Sequence, residues 1–227
     1  MLAQIRRALL DLVFPPRCVS CRRPGAWFCP PCQAKIQRIP PPWCDRCGRP
    51  LQRDACPYCR QLPLQIDGLR AMAFFEDDFR RAIHAFKYLR RPELATPLGA
   101  MLNEYLCAHP LPADGIVPIP LHSERERRRG YNQSYLLARE IALFQNLPLW
   151  YNVIERTRAT QPQVELDAPA RRENVREAFA ATEAVAGARV LLIDDVCTTG
   201  ATMDACGMAL KARGAKSVWG LALARGR

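Results

Sequence analysis

From residue 63 onward the apolar positions follow two alternating rhythms. Short runs such as Gly68–Asp77 (GLRAMAFFED), Gly115–His122 (GIVPIPLH), Leu147–Arg156, Ala188–Val196 (ARVLLIDDV) and Ala215–Arg225 (AKSVWGLALAR) are dense in apolar residues and too short for helices. They predict strands. Between them apolar residues recur every three or four positions. Phe79, Ile83 and Phe86 form one stripe in Asp77–Tyr88, with Asp77 or Asp78 as the expected cap. Leu98, Met101, Leu102, Tyr105 and Leu106 form another after Thr96, the expected cap, and Pro97, with Cys107 as buried filler. Leu136, Leu137, Ile141 and Phe144 should face inward from a third helix, and Thr202–Gly214 makes a fourth, closed by Gly214. Strands alternating with helices predict an α/β fold with a mostly parallel sheet flanked by helices. Val190–Ile193 is wholly apolar, as a central strand buried on both faces should be.

Before residue 63 the pattern breaks down. Met1–Phe14 carries Leu2, Ile5, Leu9 and Val13 on one helical face, stopped by Pro15-Pro16. The stretch that follows is rich in proline and poor in periodic apolar residues. It holds eight of the 11 cysteines, as four C-x-x-C pairs: Cys18/Cys21, Cys29/Cys32, Cys44/Cys47 and Cys56/Cys59. A C-x-x-C turn converges two thiolates on a tetrahedral ion, and two turns complete a site. The short spacers, seven residues after Cys21 and eight after Cys47, favour pairing in chain order as two zinc ribbons, with a crossed pairing as the alternative. Gly48 falls where a tight knuckle needs a residue without Cβ. Metal binding would supply the folding energy that so small a core lacks. The division expected is residues 1–62, helix plus double ribbon, and residues 63–227, the α/β domain.

The segment Leu191–Met203, LLIDDVCTTGATM, carries the chemistry. Two adjacent acids, Asp194 and Asp195, end an apolar strand, and a Thr/Gly turn opens a helix directly afterwards. In open α/β sheets ligands gather beyond the carboxyl ends of strands. A turn running into a helix there aims N–H groups and hydroxyls at an anion. Thr198, Thr199, Gly200, Ala201 and Thr202 are therefore the expected phosphate cradle, with Gly200 sparing the Cβ that would obstruct the anion. The two carboxylates can accept hydrogen bonds from vicinal hydroxyls. A ribose 5-phosphate satisfies both halves. The G-x-x-x-x-G-K-[ST] phosphate loop is excluded, because no Gly-Lys dipeptide occurs, and the G-x-G-x-x-G fingerprint is also missing. Cys197 reads as packing, since no histidine lies near it in sequence.

Charge shifts the picture only slightly. The formal net charge of +11 favours anionic partners, and Arg17, Arg22, Arg23, Lys35, Arg38, Arg46, Arg49, Arg53 and Arg60 are spread through the cysteine-rich stretch. No stretch approaches the about 20 apolar residues of a spanning helix, so no membrane span is expected, and clustered cysteines suit a cytoplasmic location.

VLLIDDVCTTGAT resembles the phosphoribosyl-diphosphate (PRPP) motif of type I phosphoribosyltransferases. With the cysteine pairs, HAFKY (His84–Tyr88), VPIPLH (Val117–His122), RGYNQ (Arg129–Gln133), Thr160-Gln161 and REN (Arg172–Asn174), the whole chain resembles the ComF/GntX-like proteins linked to competence for DNA uptake. The resemblance implies a type I phosphoribosyltransferase-like fold and PRPP, or a related ribose 5-phosphate, bound with Mg2+. It implies Asp194 and Asp195 as catalytic acids, and a pyrophosphate loop in PLHSERERRRGYN with Arg129 and Lys87 as its best cations. The segment 156–176 would be the hood. A role in DNA uptake or nucleotide metabolism follows, with acceptor undetermined. The alternative is a non-catalytic adaptor that keeps a PRPP-sensing site, with single-stranded DNA or the competence helicase machinery as partner.

Overall fold

A computed structural model describes residues 15–51, 55–157, 178–181 and 185–227. The expected N-terminal helix, Thr160-Gln161, REN and nearly all of the expected hood lie outside the described residues. The elements in chain order are α1 (Pro30–Gln33), α2 (Pro57–Gln61), β1 (Gly68–Phe74), α3 (Asp77–Tyr88), α4 (Ala95–Ala108), β2 (Gly115–Pro118), α5 (Ser123–Arg129), α6 (Gln133–Gln145), β3 (Ile154–Arg156), β4 (Phe179–Ala181), β5 (Arg189–Cys197), α7 (Ala201–Ala212) and β6 (Ser217–Arg225).

The main sheet runs β1-β6-β5-β2, with every pairing parallel. Its interior strands need cover on both faces. On one, Leu191, Ile193, Leu221 and Leu223 pack with the apolar stripes of α3, α4 and α6. On the other, Val190, Leu192, Val218 and Ala222 pack with Met203, Cys206 and Leu210 of α7. The fold is thus the α/β arrangement expected, with a cysteine-rich module ahead of it. Among the described residues no helix is long and apolar enough to cross a membrane.

Several local expectations give way. Neither Asp77 nor Asp78 caps α3. Glu76 occupies that position without a side-chain bond, while Asp77 takes a φ of +46° and Asp78 bonds Ser20 and Arg81. Thr96 does not cap α4, because a 3-10 turn over Pro92–Leu94 runs straight into the helix. Cys107 is exposed beside Asn103 and Gln145. Phe144 is 52% exposed, because the buried stripe of α6 runs Ser134, Leu137, Ala138, Ile141, Ala142 and next reaches Gln145, which bonds Asn103 of α4. Leu147–Arg156 splits. Leu149 forms a bridge with Ile116, while Ile154–Arg156 pairs antiparallel with β4 in a separate two-stranded sheet.

In the cysteine-rich module two similar knuckles appear. Cys18 N–H donates to Arg23 and Arg22 N–H to Cys18, while Cys44 N–H donates to Arg49 and Gly48 N–H to Cys44, at 2.8–2.9 Å. Arg22 and Gly48 sit at φ +66° and +67°. Gly48 is required twice over, since a Cβ there would stand 2.5 Å from the Leu69 carbonyl oxygen. The second pair of each half opens a proline-started helix, α1 or α2, with Cys29 and Cys56 at the N-caps.

Candidate functional site

Cys18, Cys21, Cys29 and Cys32 form one cluster and Cys44, Cys47, Cys56 and Cys59 another, the sulfurs of each lying within 4.8 Å of one another. Sulfurs around a tetrahedral zinc with bonds of about 2.3 Å stand about 3.8 Å apart. Here Cys21–Cys29, Cys44–Cys59 and Cys47–Cys56 are 3.5, 3.7 and 3.7 Å apart. The thiols therefore fit a zinc ion in each cluster, paired in chain order. Within the first cluster the shifts oppose one another: burial pushes the Cys18 thiol up but N–H groups of Cys21, Cys29 and Ser20 outweigh it and hold its pKa at about 6, while burial and the neighbouring thiols push Cys32 up to about 12.

Asp194 and Asp195 lie at the carboxyl end of β5, and alternation along the strand sends them to opposite faces. Asp194 stays partly exposed. Its Oδ1 accepts from the Ser134 hydroxyl at 2.7 Å and from the Asp195 N–H at 2.9 Å. Burial, then repulsion from Asp195, push its pKa up to about 7, with Lys87 and Ser134 opposing. Asp195 is 2% exposed. Its Oδ1 meets Lys87 Nζ at 2.9 Å, and its Oδ2 is buried without a hydrogen-bond partner. Asp194 is thus partly exposed at the strand end, while Asp195, expected beside it to accept from sugar hydroxyls, turns to a lysine inside the protein.

Thr198, Gly200 and Thr202 line a small cleft of about 20 Å³ together with Asp194. Thr199 is buried and its Oγ1 accepts from Ala201 N–H at 3.3 Å, so its hydroxyl is turned to its own helix start. Ala201 is buried. Gly200 has φ +86°, and a Cβ there would approach Leu64 and Leu69 at 3.3 Å. Its lack of a side chain therefore serves the left-handed turn and the core behind it, not the open approach of an anion.

The stretch expected as an open pyrophosphate loop contains α5, capped by His122, whose Nδ1 accepts from Glu124 N–H, and ended by Gly130 at φ +89°. Arg129 closes that helix. It bonds Gln133, and its guanidinium lies 5.4 Å from the Tyr88 ring. Tyr88 follows Lys87, so both predicted cations converge on the end of α3.

Three participants were missed in the sequence. Ser134 is fixed because Asn132 accepts from its N–H at 2.9 Å and donates to Ile119 at 3.1 Å, tying the start of α6 to the end of β2. Arg49 donates to the Thr198 carbonyl and Tyr58 to the Thr199 carbonyl, each at 2.9 Å, with the Arg49 guanidinium 4.1 Å above the Tyr58 ring. The second ribbon thus braces the Thr/Gly loop from behind. Only the RGYNQ stretch hinted at Ser134, and nothing local pointed to Arg49 or Tyr58. Cys197 is buried and its thiol pKa is raised by that burial, as packing requires.

Residues 9–62 match the double zinc ribbon domain model and residues 128–226 the phosphoribosyl transferase domain model. A DNA utilization protein YhgH from Salmonella typhi is 34% identical over 220 residues, covering 91% of this chain and 96% of the relative. Competence protein F of Haemophilus influenzae is 31% identical, covering 92% and 97%. The chain belongs to the ComF/YhgH family of competence proteins. Among solved structures, a glutamine PRPP amidotransferase from B. subtilis superposes with a TM-score of 0.42 at 19% identity, covering 61% of this chain and 30% of that one. The two matching family models give the chain a double-ribbon module followed by a phosphoribosyltransferase-like domain.

Proposed function

We propose that this protein binds PRPP with Mg2+ and transfers its phosphoribosyl group to a nitrogen acceptor. One observation carries the reading: the partly exposed Asp194 and Thr198, Gly200, Ala201 and Thr202 line a single cleft at the carboxyl end of a parallel strand. The 5-phosphate would rest at the mouth of that cleft, against the first turn of α7, since the enclosed part is too small for a sugar. Asp194 would accept from ribose hydroxyls and offset positive charge developing at C1 as the C1–O bond breaks. The bond pair leaves with pyrophosphate, and Lys87 at the end of α3 and Arg129 at the end of α5 would receive it. Mg2+, a hard cation suited to Asp194 and the substrate's oxygens, would screen the diphosphate charge. The eight ribbon cysteines would hold two structural zinc ions, so metal analysis should return two per chain, and fewer than one would remove that assignment.

The names of the relatives, a DNA utilization protein and a competence protein, support a role for such an activity in DNA utilisation or competence. A second reading keeps the ribose phosphate site for sensing only, in an adaptor for single-stranded DNA. The observation favouring it is that Lys87 is engaged with Asp195 rather than free for pyrophosphate. Calorimetric titration with PRPP, with and without Mg2+, tests the site on wild type and on the Asp194→Asn/Asp195→Asn variant. Heat unchanged by the double substitution overturns it. Pyrophosphate release in the presence of candidate acceptors separates transfer from sensing.

A further inference from the structure

A larger cleft, about 780 Å³, lies between the second ribbon and the carboxyl ends of β1 and β6. Four arginines reach it, Arg49, Arg60, Arg225 and Arg227, and no acidic residue is among its described lining residues. Arg227 is neutralised from outside the cleft by Glu76, with contacts at 2.5 and 3.1 Å. The others are not. Among the described residues no carboxylate lies within ion-pair distance of Arg49, Arg60 or Arg225.

Arg225 is 1% exposed. One of its terminal nitrogens donates to the Cys47 carbonyl at 2.5 Å, while its Nε is buried with no hydrogen-bond partner. The Nε of Arg49 is in the same state. A buried guanidinium nitrogen without a partner is costly, and two such atoms, one on the buried Arg225 and one on the partly exposed Arg49, favour an anion at this cleft. The walls are not wholly polar. Phe74, Leu51 and Pro50 offer an apolar surface, and the Arg227 guanidinium lies 4.4 Å from the Phe74 ring. The volume suits one ligand of nucleotide size. Arginine forks match phosphate oxygens, and an aromatic face beside a guanidinium suits a planar base.

We infer that this cleft is a second anion site that takes a free nucleotide carrying two or more phosphate groups. It is separate from the Asp194 cleft and does not depend on the transferase reading. The two adjoin at Thr198, whose carbonyl is held by Arg49 and whose methyl lies behind Gly226.

The test is calorimetric titration of the full chain with ADP, adenosine and a 5′-phosphorylated single-stranded oligonucleotide. The proteins are wild type, Arg60→Ala/Arg227→Ala and Asp194→Asn/Asp195→Asn, with thermal melting to report folding. ADP should bind wild type, with adenosine at least tenfold weaker. The arginine double variant should weaken ADP at least tenfold, and the aspartate double variant should stay within twofold of wild type. If the arginine double variant does not fold, Arg60→Ala alone, at an exposed position, should still weaken ADP at least threefold. The proposal is overturned if ADP and adenosine bind alike, if the arginine substitutions leave ADP binding unchanged, or if the aspartate variant loses it, which would put ADP in the first cleft. Oligonucleotide binding that needs these arginines without any ADP binding would move the site to strands and overturn it too.

Discussion

Replacing Asp194 with asparagine should stabilise the unliganded protein and weaken the proposed ribose site. Both bonds to Oδ1, from the Ser134 hydroxyl and the Asp195 N–H, can pass to the amide oxygen of asparagine. The substitution therefore removes a charge while preserving the local hydrogen bonds. In the folded state the carboxyl pKa rises from 3.8 to about 7, chiefly through burial and then through Asp195. A raised carboxyl pKa favours folding only while the proton is bound. That advantage is complete below the unfolded value and is lost as pH rises through the folded one. At about 1.4 kcal/mol per tenfold, the fully ionised folded protein carries a cost of about 4 kcal/mol, of which about 2 kcal/mol accrues between about pH 5.5 and 8.5. Urea unfolding of wild type and Asp194→Asn across that range should show a stability gap that favours the variant and widens by about 2 kcal/mol. PRPP binding by the variant should fall at least tenfold. A gap that is flat with pH, or one that favours wild type at the alkaline end, would show the carboxylate to be a structural hydrogen-bonding group and refute the reasoning.

Lys87→Met removes the one ionic partner found among the described residues for a carboxylate that is 2% exposed, so urea unfolding near neutral pH should show a loss of about 3 kcal/mol. Adding Asp195→Asn should recover most of that loss, because the stranded charge goes with it; failure to recover would mean the lysine stem, not its charge, supports the fold. Tyr58→Phe deletes the bond to the Thr199 carbonyl and should cost about 1 kcal/mol in thermal unfolding while leaving the metal content at the wild-type level. A variant that melts at the wild-type temperature would show that the ribbon does not brace the loop.

The strands and helices of the large domain were legible because burial imposes period: β5 and β6 need apolar residues on both faces, and α3 and α4 need one stripe each. Helix ends were less so. Capping depends on what precedes the helix in space, and the turn at Pro92–Leu94 or the left-handed Asp77 leaves no fixed mark in composition. The cysteine pairs foretold both clusters because a tetrahedral ion fixes its ligand spacing locally. The Asp-Asp and Thr/Gly motif foretold the place of the candidate site but not the inward turn of Asp195. That depends on Lys87, 108 positions earlier in the chain. Arg49 and Tyr58 were hidden for the same reason. Their partners are backbone carbonyls more than 140 residues away, and a carbonyl has no sequence signature.

The placement of the second ribbon carries a physical consequence. A tight turn such as Cys197–Gly200 leaves carbonyls pointing away from its amides, and a buried carbonyl needs a donor. Arg49 and Tyr58 supply donors to two consecutive carbonyls on the side opposite the cleft, and Arg225 ties the same ribbon to the end of β6 through Cys47. Arg49 and Tyr58 lie among the cluster's cysteines in sequence, with Cys47 before Arg49 and Cys56 and Cys59 flanking Tyr58. A metal that fixes those thiolates therefore also fixes the donors, and the loop's amides can be held toward an anion at little further ordering cost when one binds. On this view the ribbon is an extension of the candidate ligand site across the sheet edge.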